Sequence, residues 1–202
     1  MDYIKEIINL ELEKPSGCNG SLIPGNIKKS EGPTFIVFGL NPAEAKDDLE
    51  GFYDTKFYTI NPETLNTLGQ RRWTKKISDI LPIGSNIIQA EIIYWTSKNR
   101  SSLEKKIGKL DFGNPYFDLS CAINHDLLLK NQNYKCILLG FSHVDLFAKV
   151  FNLPRFDKVI NGEDGKRLVC TSSKNNIFNI VRHPSSIGFS NADKKNIRNI
   201  LG

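Results

Sequence analysis

The sequence predicts an α/β fold with a largely parallel sheet and helices on both faces. Apolar, often β-branched runs recur at 34–38, 86–95, 135–139 and 177–181. Each has the length and character of a buried strand. Segments with helical spacing separate them, and strands that alternate with helices form parallel sheets. The chain has 202 residues, of which 40% are hydrophobic and 24% charged. That is enough to bury a core without disulfides or metal, and the expected organisation is one domain over 1–202.

The N-terminal stretch MDYIKEIINLELEK has an amphipathic pattern that predicts a helix over 2–13. Its acidic residues do not fit a signal peptide. A Gly/Pro/Ser-rich connection runs to Pro33, so 1–33 forms an N-terminal helix and connection. FIVFGLNPAEA follows. Its four apolar residues predict a strand over 34–38, Gly39 permits the turn, and Pro42 cannot donate to a ladder. A polar and aromatic loop over 42–69 has turn signals at Gly51 and Asn61-Pro62. Gln70 to Leu81 has helical spacing, with Trp73, Ile77, Ile80 and Leu81 on one face and Pro82 as its stop. The run 86–95 predicts a second strand, and 118–129 a helix. The run 135–139 is a third strand closed by Gly140, and Ser142 is the expected N-cap of the helix HVDLFAKVF. A short strand over 168–170, a last strand over 177–181 and a helix over 192–201 complete the chain.

The formal net charge is +5 and the sequence pI about 8.9, which is compatible with a polyanionic partner. Basic residues sit beside aromatic or small polar ones in GNIKKS, GQRRWTKK, WTSKNRSSLEKKIGK and NADKKNIR. Lys105, Lys106, Lys194 and Lys195 read as solvated helix faces. No apolar run reaches the length of a membrane span. Cys18, Cys121, Cys136 and Cys170 lie far apart with no Cys-x-x-Cys. Reduced thiols, a cytoplasmic location and no bound metal, cluster or cofactor are expected.

In parallel α/β sheets, ligands bind beyond the carboxyl ends of the strands. Here those ends carry Gly39-Leu40-Asn41-Pro42, Trp95-Thr96-Ser97, Gly140-Phe141-Ser142-His143 and Arg182-His183-Pro184-Ser185-Ser186. If all four strands are parallel, these loops share one rim. The turn VRHPSSIGFS offers an imidazole, a stiff proline and small hydroxyl residues, a combination able to stabilise developing negative charge. Taken singly, each motif reads as an ordinary turn. His143 reads as a capping or surface residue and His125 as a helix-surface residue.

Together and in order, FIVFGLNPA, KCILLGFSHVDLF and VRHPSS resemble the uracil-DNA glycosylase superfamily, over roughly residues 34–201. The Gly-x-Asn-Pro form of the first motif resembles its mismatch-specific and single-strand-selective branches. The resemblance implies a three-layer α/β/α fold with a central, mostly parallel four-stranded sheet. It implies a monofunctional DNA glycosylase, acting as a monomer, that flips out a nucleotide and cleaves its N-glycosidic bond. Asn41 matches the first-motif asparagine, which positions water or contacts the base, with Gly39, Leu40 and Pro42 around it. His183 matches the histidine that hydrogen-bonds the base O2 as the bond breaks. Ser142, Pro184, Ser185 and Ser186 fall where the superfamily meets DNA, the two serines at the flanking phosphate. Ile187 or Phe189 is the wedge that fills the vacated stack.

The departures have consequences. An amide is no general base at neutral pH, so Asn41 must position water rather than deprotonate it. Glu44, Asp47 and Asp48 lie just downstream, and one could supply a base. QRRW resembles an Asn-Arg-Phe-Trp segment whose phenylalanine stacks on the flipped base, and Arg72 occupies that place. Either the Arg72 guanidinium stacks, or Phe52, Tyr53, Phe57 or Tyr58 replaces it. Trp73 reads as core. Thr96, Ser97 or Asn99 falls near the superfamily's base-reading asparagine. The cysteine spacing does not match the branch that holds an iron–sulfur cluster. Uracil and modified or mismatched pyrimidines are the candidate bases, in repair or in defence against phage DNA. A DNA-binding module without chemistry and a hydrolase of free nucleosides or nucleotides are the alternatives.

Overall fold

A computed structural model of the chain describes residues 21–23, 25–28, 31–40, 57–59, 74–95, 97–153, 156–172, 175–184 and 186–202. The expected helix over 2–13 and most of the 42–69 loop lie outside these residues. The strands are β1 (Ser21–Ile23), β2 (Gly25–Lys28), β3 (Thr34–Gly39), β4 (Phe57–Thr59), β5 (Asn86–Glu91), β6 (Lys135–Leu139), β7 (Lys158–Asn161), β8 (Arg167–Ser172) and β9 (Asn175–Val181). The helices among the described residues are α1 (Arg100–Ile107), α2 (Pro115–Lys130), α3 (Val144–Phe151) and α4 (Asn191–Leu201), and residues 74–78 are also helical.

The α/β class holds, but the sheet is not the expected four-stranded one. Among the described residues it is mixed, with seven strands in the order β2-β5-β3-β6-β9-β8-β7. A separate two-stranded parallel sheet joins β1 to β4. In the large sheet β3 pairs parallel with β6, and β6 parallel with β9. Residues 35–38 of β3 and 136–139 of β6 are all buried. Such unbroken apolar runs belong to strands covered on both faces. β5 runs alongside β3 in the same direction: the Asn86 N–H donates to Pro33 O at one end (2.8 Å) and the Ile92 N–H to Gly39 O at the other (3.0 Å).

Three antiparallel strands extend this group: β2 on β5, β8 on β9 and β7 on β8. The sequence reading missed β2 because Gly25 and Asn26 are poor strand formers, and pairing to β5 overrides that weak preference. It missed β7 because Lys158–Asn161 is mostly exposed at the sheet edge and carries little apolar signal. The turn between β7 and β8 holds Gly162 and Gly165, and Gly165 adopts φ 71°.

Capping explains the helix bounds. Asn114 accepts from Tyr116 N and Phe117 N, with Pro115 at the first helical position, so α2 starts earlier than the expected 118. α3 is preceded by His143, not Ser142, and His143 makes no side-chain cap bond. Asn152 ends α3 in the left-handed region at φ 47°. Ser190 and Asp193 form a reciprocal capping box on α4. On the 74–78 segment and after it, Ile77, Ile80 and Leu81 are buried as expected, while Trp73 lies outside the described residues.

The chain divides into two compact units, interleaved in sequence. One comprises residues 1–24, 39–60 and 90–132. Its core gathers Ile92, Ile93, Tyr94 and Trp95 with Leu103, Phe117, Ile123 and Leu127. Within it the Tyr94 hydroxyl donates to Asn124 Oδ1 (2.6 Å), and Asn124 Nδ2 donates to the carbonyls of Glu91 and Ile92 (3.1 and 3.2 Å). The other unit comprises residues 25–38, 61–89 and 133–202. An aromatic cluster anchors α3 there: the Phe147 ring lies 5.4 Å from Phe38, 5.0 Å from Phe151 and 5.9 Å from Phe178. No described helix is long and apolar enough to cross a membrane.

Phe147→Ala removes the ring shared by these contacts. It is expected to cost about 3–5 kcal/mol of stability, read as a lower urea midpoint. Ile83→Ala, at a position 88% exposed, should stay within about 0.5 kcal/mol of the parent. Equal effects of the two would overturn the placement of this core.

Candidate functional site

His183 leaves the carboxyl end of β9, and Gly140 closes β6 beside it. The Gly140 N–H donates to Val181 O at 2.7 Å. Gly140 has φ 84°, and a Cβ there would lie 3.8 Å from the His183 Cβ. The left-handed backbone is what calls for glycine here. Past His183 the chain turns at once, with the Ser186 N–H donating to His183 O (2.9 Å) and the Phe189 N–H to Ser186 O (3.3 Å).

Arg182 holds this turn in place, and the sequence reading gave it no role. The residue is 5% exposed. Its Nη1 donates to Asp164 Oδ1 at 3.0 Å, its Nη2 lies 2.9 Å from Asp164 Oδ2, and Nη2 also donates to Ile187 O at 2.6 Å. One guanidinium thus ties the β7–β8 turn to the turn after β9, with the two-pronged geometry that arginine favours. The Arg182 hydrogen bond holds the Asp164 carboxyl below its ordinary range, helped by the Lys166 N–H. Gly188 adopts φ 78°, and a Cβ there would lie 3.1 Å from Asp164 Oδ2. Beside this tie, Asp193 accepts from Ser190 N and Glu163 N, and the Ser190 hydroxyl donates to Glu163.

The clamped turn presents two different apolar residues. Ile187 stands 92% exposed, while Phe189 is half-buried and lines a cleft of about 330 Å³ with Lys75, Lys76, Asp79, Pro184 and Lys194. Lys194 Nζ lies 3.4 Å from Asp79 Oδ2, so Lys194 is not only the solvated surface residue expected. On the β6 loop, the Arg167 guanidinium lies over the Phe141 ring, 5.0 Å from its centroid.

His183 is half-buried. Burial pushes its pKa below the ordinary 6.5, and the Lys76 charge adds to the push. The ring is therefore neutral at pH 7, with one nitrogen able to donate and the other to accept. Because the folded pKa is the lower one, the unfolded chain takes up this proton first on acidification. Stability from this group is complete above 6.5 and falls as the pH drops through 6.5 toward the folded value.

The first-motif end lies in the other unit. Asn41 and Pro42 are outside the described residues, as are Tyr53, Arg72, Thr96, Ser185, Glu44, Asp47 and Asp48. Gly39 and Leu40 end β3, where their carbonyls accept from Ile92 N and Ile93 N. Glu91, 4% exposed, packs its carboxylate onto Gly39, and a Cβ at residue 39 would collide with it. A side chain at residue 39 would therefore require Glu91 to shift. No local signal in the sequence pairs the two residues. Burial, together with the Glu91 charge, pushes the Tyr94 phenol up.

Other expected site residues are placed as follows. Tyr58 lies in β4. Ser97 is buried, and its hydroxyl donates to Asn99 O at 3.3 Å. Asn99 caps α1 by accepting from Ser102 N. Both therefore serve the start of that helix. Ser142 is exposed and Pro184 half-buried. His125 is exposed on α2, as expected. Cys121 lies inside α2 and is buried, as are Cys136 and Cys170, and none of the three is in a disulfide. Burial pushes the Cys136 thiol up to about 12. Among the described residues, no group of three or more His, Cys, Asp or Glu could hold a metal ion. No protein-family model matches the sequence, and no curated protein is significantly similar to it.

Two measurements check this geometry. Asp164→Ala should release the turn, speeding hydrogen exchange at the Ser186 and Phe189 amides; unchanged exchange would mean that the ion pair does not hold it. By NMR, His183 should titrate below 6.5, and Lys76→Ala should raise its pKa only in part, since burial is the larger cause. A value at or above 6.5 in the parent would contradict the placement.

Proposed function

We propose that the chain is a monofunctional DNA glycosylase related to the uracil-DNA glycosylases, acting on a flipped uracil or a modified or mismatched pyrimidine. One observation carries the reading most: a half-buried imidazole at the end of a central parallel strand, followed four residues later by an apolar side chain 92% exposed in a turn clamped by Arg182. An imidazole that donates without being charged suits an anionic leaving group. A projecting apolar residue suits a wedge that replaces a base in the stack, and it has no evident use in an enzyme for free nucleosides. The run of four strands β5-β3-β6-β9 in one direction also agrees with this reading.

In this chemistry the C1′–N bond breaks and its electron pair moves onto the base. The His183 N–H donates to the base O2, where the negative charge collects. Water adds its oxygen to C1′ and loses a proton to solvent, and the released base is protonated in turn. The Asn41 amide orients that water. Ile187, rather than the cleft-lining Phe189, takes the wedge role.

Labelled oligonucleotides bearing uracil, mismatched thymine or hypermodified pyrimidines, treated with alkali after incubation, test the reading. An alkali-dependent break is expected at one of these bases. Asn41→Ala and His183→Ala should each slow it by about a hundredfold or more. Ile187→Ala should slow excision from duplex more than from single strands. No abasic product on any substrate, or variants as fast as the parent, would sink the proposal.

A further inference from the structure

The cleft beside the His183-Pro184 turn lies outside the chemistry assigned above. Lys75 and Lys76 come from the helical residues 74–78, Lys194 from α4, and Pro184 and Phe189 from the turn itself. Among the described lining residues the one acid is Asp79, which pairs with Lys194 at 3.4 Å. Lys75 and Lys76 are exposed, so their charges face solvent with positive charge in excess. A pocket of about 330 Å³ falls at the lower end of ligand-sized cavities. It exceeds what a bare phosphate needs. An aromatic ring and a proline ring supply flat apolar walls beside the cations. That pairing, lysines for a phosphate and a ring for a base or sugar, suits a nucleotide unit in a strand.

We infer that this cleft binds one nucleotide of a DNA strand next to the nucleotide being processed, its phosphate on Lys75, Lys76 and Lys194 and its sugar or base against Phe189 and Pro184. The inference rests on the proposed DNA substrate but not on glycosidic cleavage. The site makes the protein a reader of a continuous strand. It also places a fixed positive charge near His183, the same charge that helps keep the imidazole neutral.

The test is fluorescence anisotropy of the full chain with labelled single- and double-stranded oligonucleotides over a range of salt. Lys75→Ala/Lys76→Ala should weaken binding roughly tenfold or more and flatten the log K against log[salt] slope by about 1.4–1.8. Lys75→Arg/Lys76→Arg should restore the slope. Phe189→Ala should weaken binding with the slope unchanged. Lys158→Ala, a remote exposed lysine on β7, should match the parent, and circular dichroism should show every variant folded. A slope unaffected by the double alanine variant would overturn the inference, as would a parent that binds no oligonucleotide. Competition by a deoxynucleoside monophosphate as strong as by an oligonucleotide would also overturn it, reassigning the cleft to free nucleotides. A changed slope without abasic product on any base would uphold the cleft and sink the glycosylase reading. Excision with an unchanged slope would do the reverse.

Discussion

The site depends on one buried cation. Arg182 stands directly before the candidate histidine, almost wholly removed from water, with its guanidinium shared between the Asp164 carboxylate and the Ile187 carbonyl. A charge in that place persists only when its partners satisfy it. The constraint runs both ways. Because Arg182 must find Asp164, the β7–β8 hairpin must fold against the end of β9. Because it must also find Ile187 O, the turn after His183 has little freedom. The strands outside the parallel group are therefore more than decoration on a sheet edge, since their turn supplies the carboxylate that positions the site.

The electrostatics follow from the same framework. His183 is kept neutral first by burial and then by Lys76, so the fold supplies a hydrogen-bond donor without spending a charge at the reacting atoms. Positive charge sits a short way off, on the lysines of the cleft, where a polyanion can meet it in solvent. Separating the neutral donor from the charged cradle lets one region stabilise a leaving group while another holds the strand. A protonated histidine among these lysines would instead add like-charge repulsion.

In the other unit, Gly39 and Glu91 show a second dependence of the same kind. The Glu91 carboxyl is buried at the end of β5 against Gly39, where a Cβ would force it to shift. Nearby, Asn124 satisfies the carbonyls of Glu91 and Ile92 and accepts from the Tyr94 hydroxyl, while Ser120 Oγ accepts from the Tyr94 N–H. The end of β3 is thus fixed by buried polar contacts as well as apolar packing.

Much of the fold was legible along the chain. Unbroken apolar runs mark β3 and β6 because a strand buried on both faces has no polar side to alternate with. Asn114-Pro115 and Ser190-x-x-Asp193 are local helix-start signals that the sequence reading passed over, so α2 was expected to begin only at 118. His183 and its proline could be singled out as residues, since their chemistry is local. The sheet's antiparallel members were not legible, because an exposed edge strand such as β7 and a glycine-led strand such as β2 carry almost no apolar period. Nor was the role of Arg182, Glu91 or the three cleft lysines. Their partners lie far away in sequence: Asp164 for Arg182, Gly39 for Glu91, Asp79 for Lys194. Sequence alone marked the buried strands β3, β5, β6 and β9 and the turns that carry reactive side chains, since those signals depend on neighbours a few residues apart. Tertiary structure alone decided which charges are buried, which are paired and which face solvent, because those energies depend on distance through space.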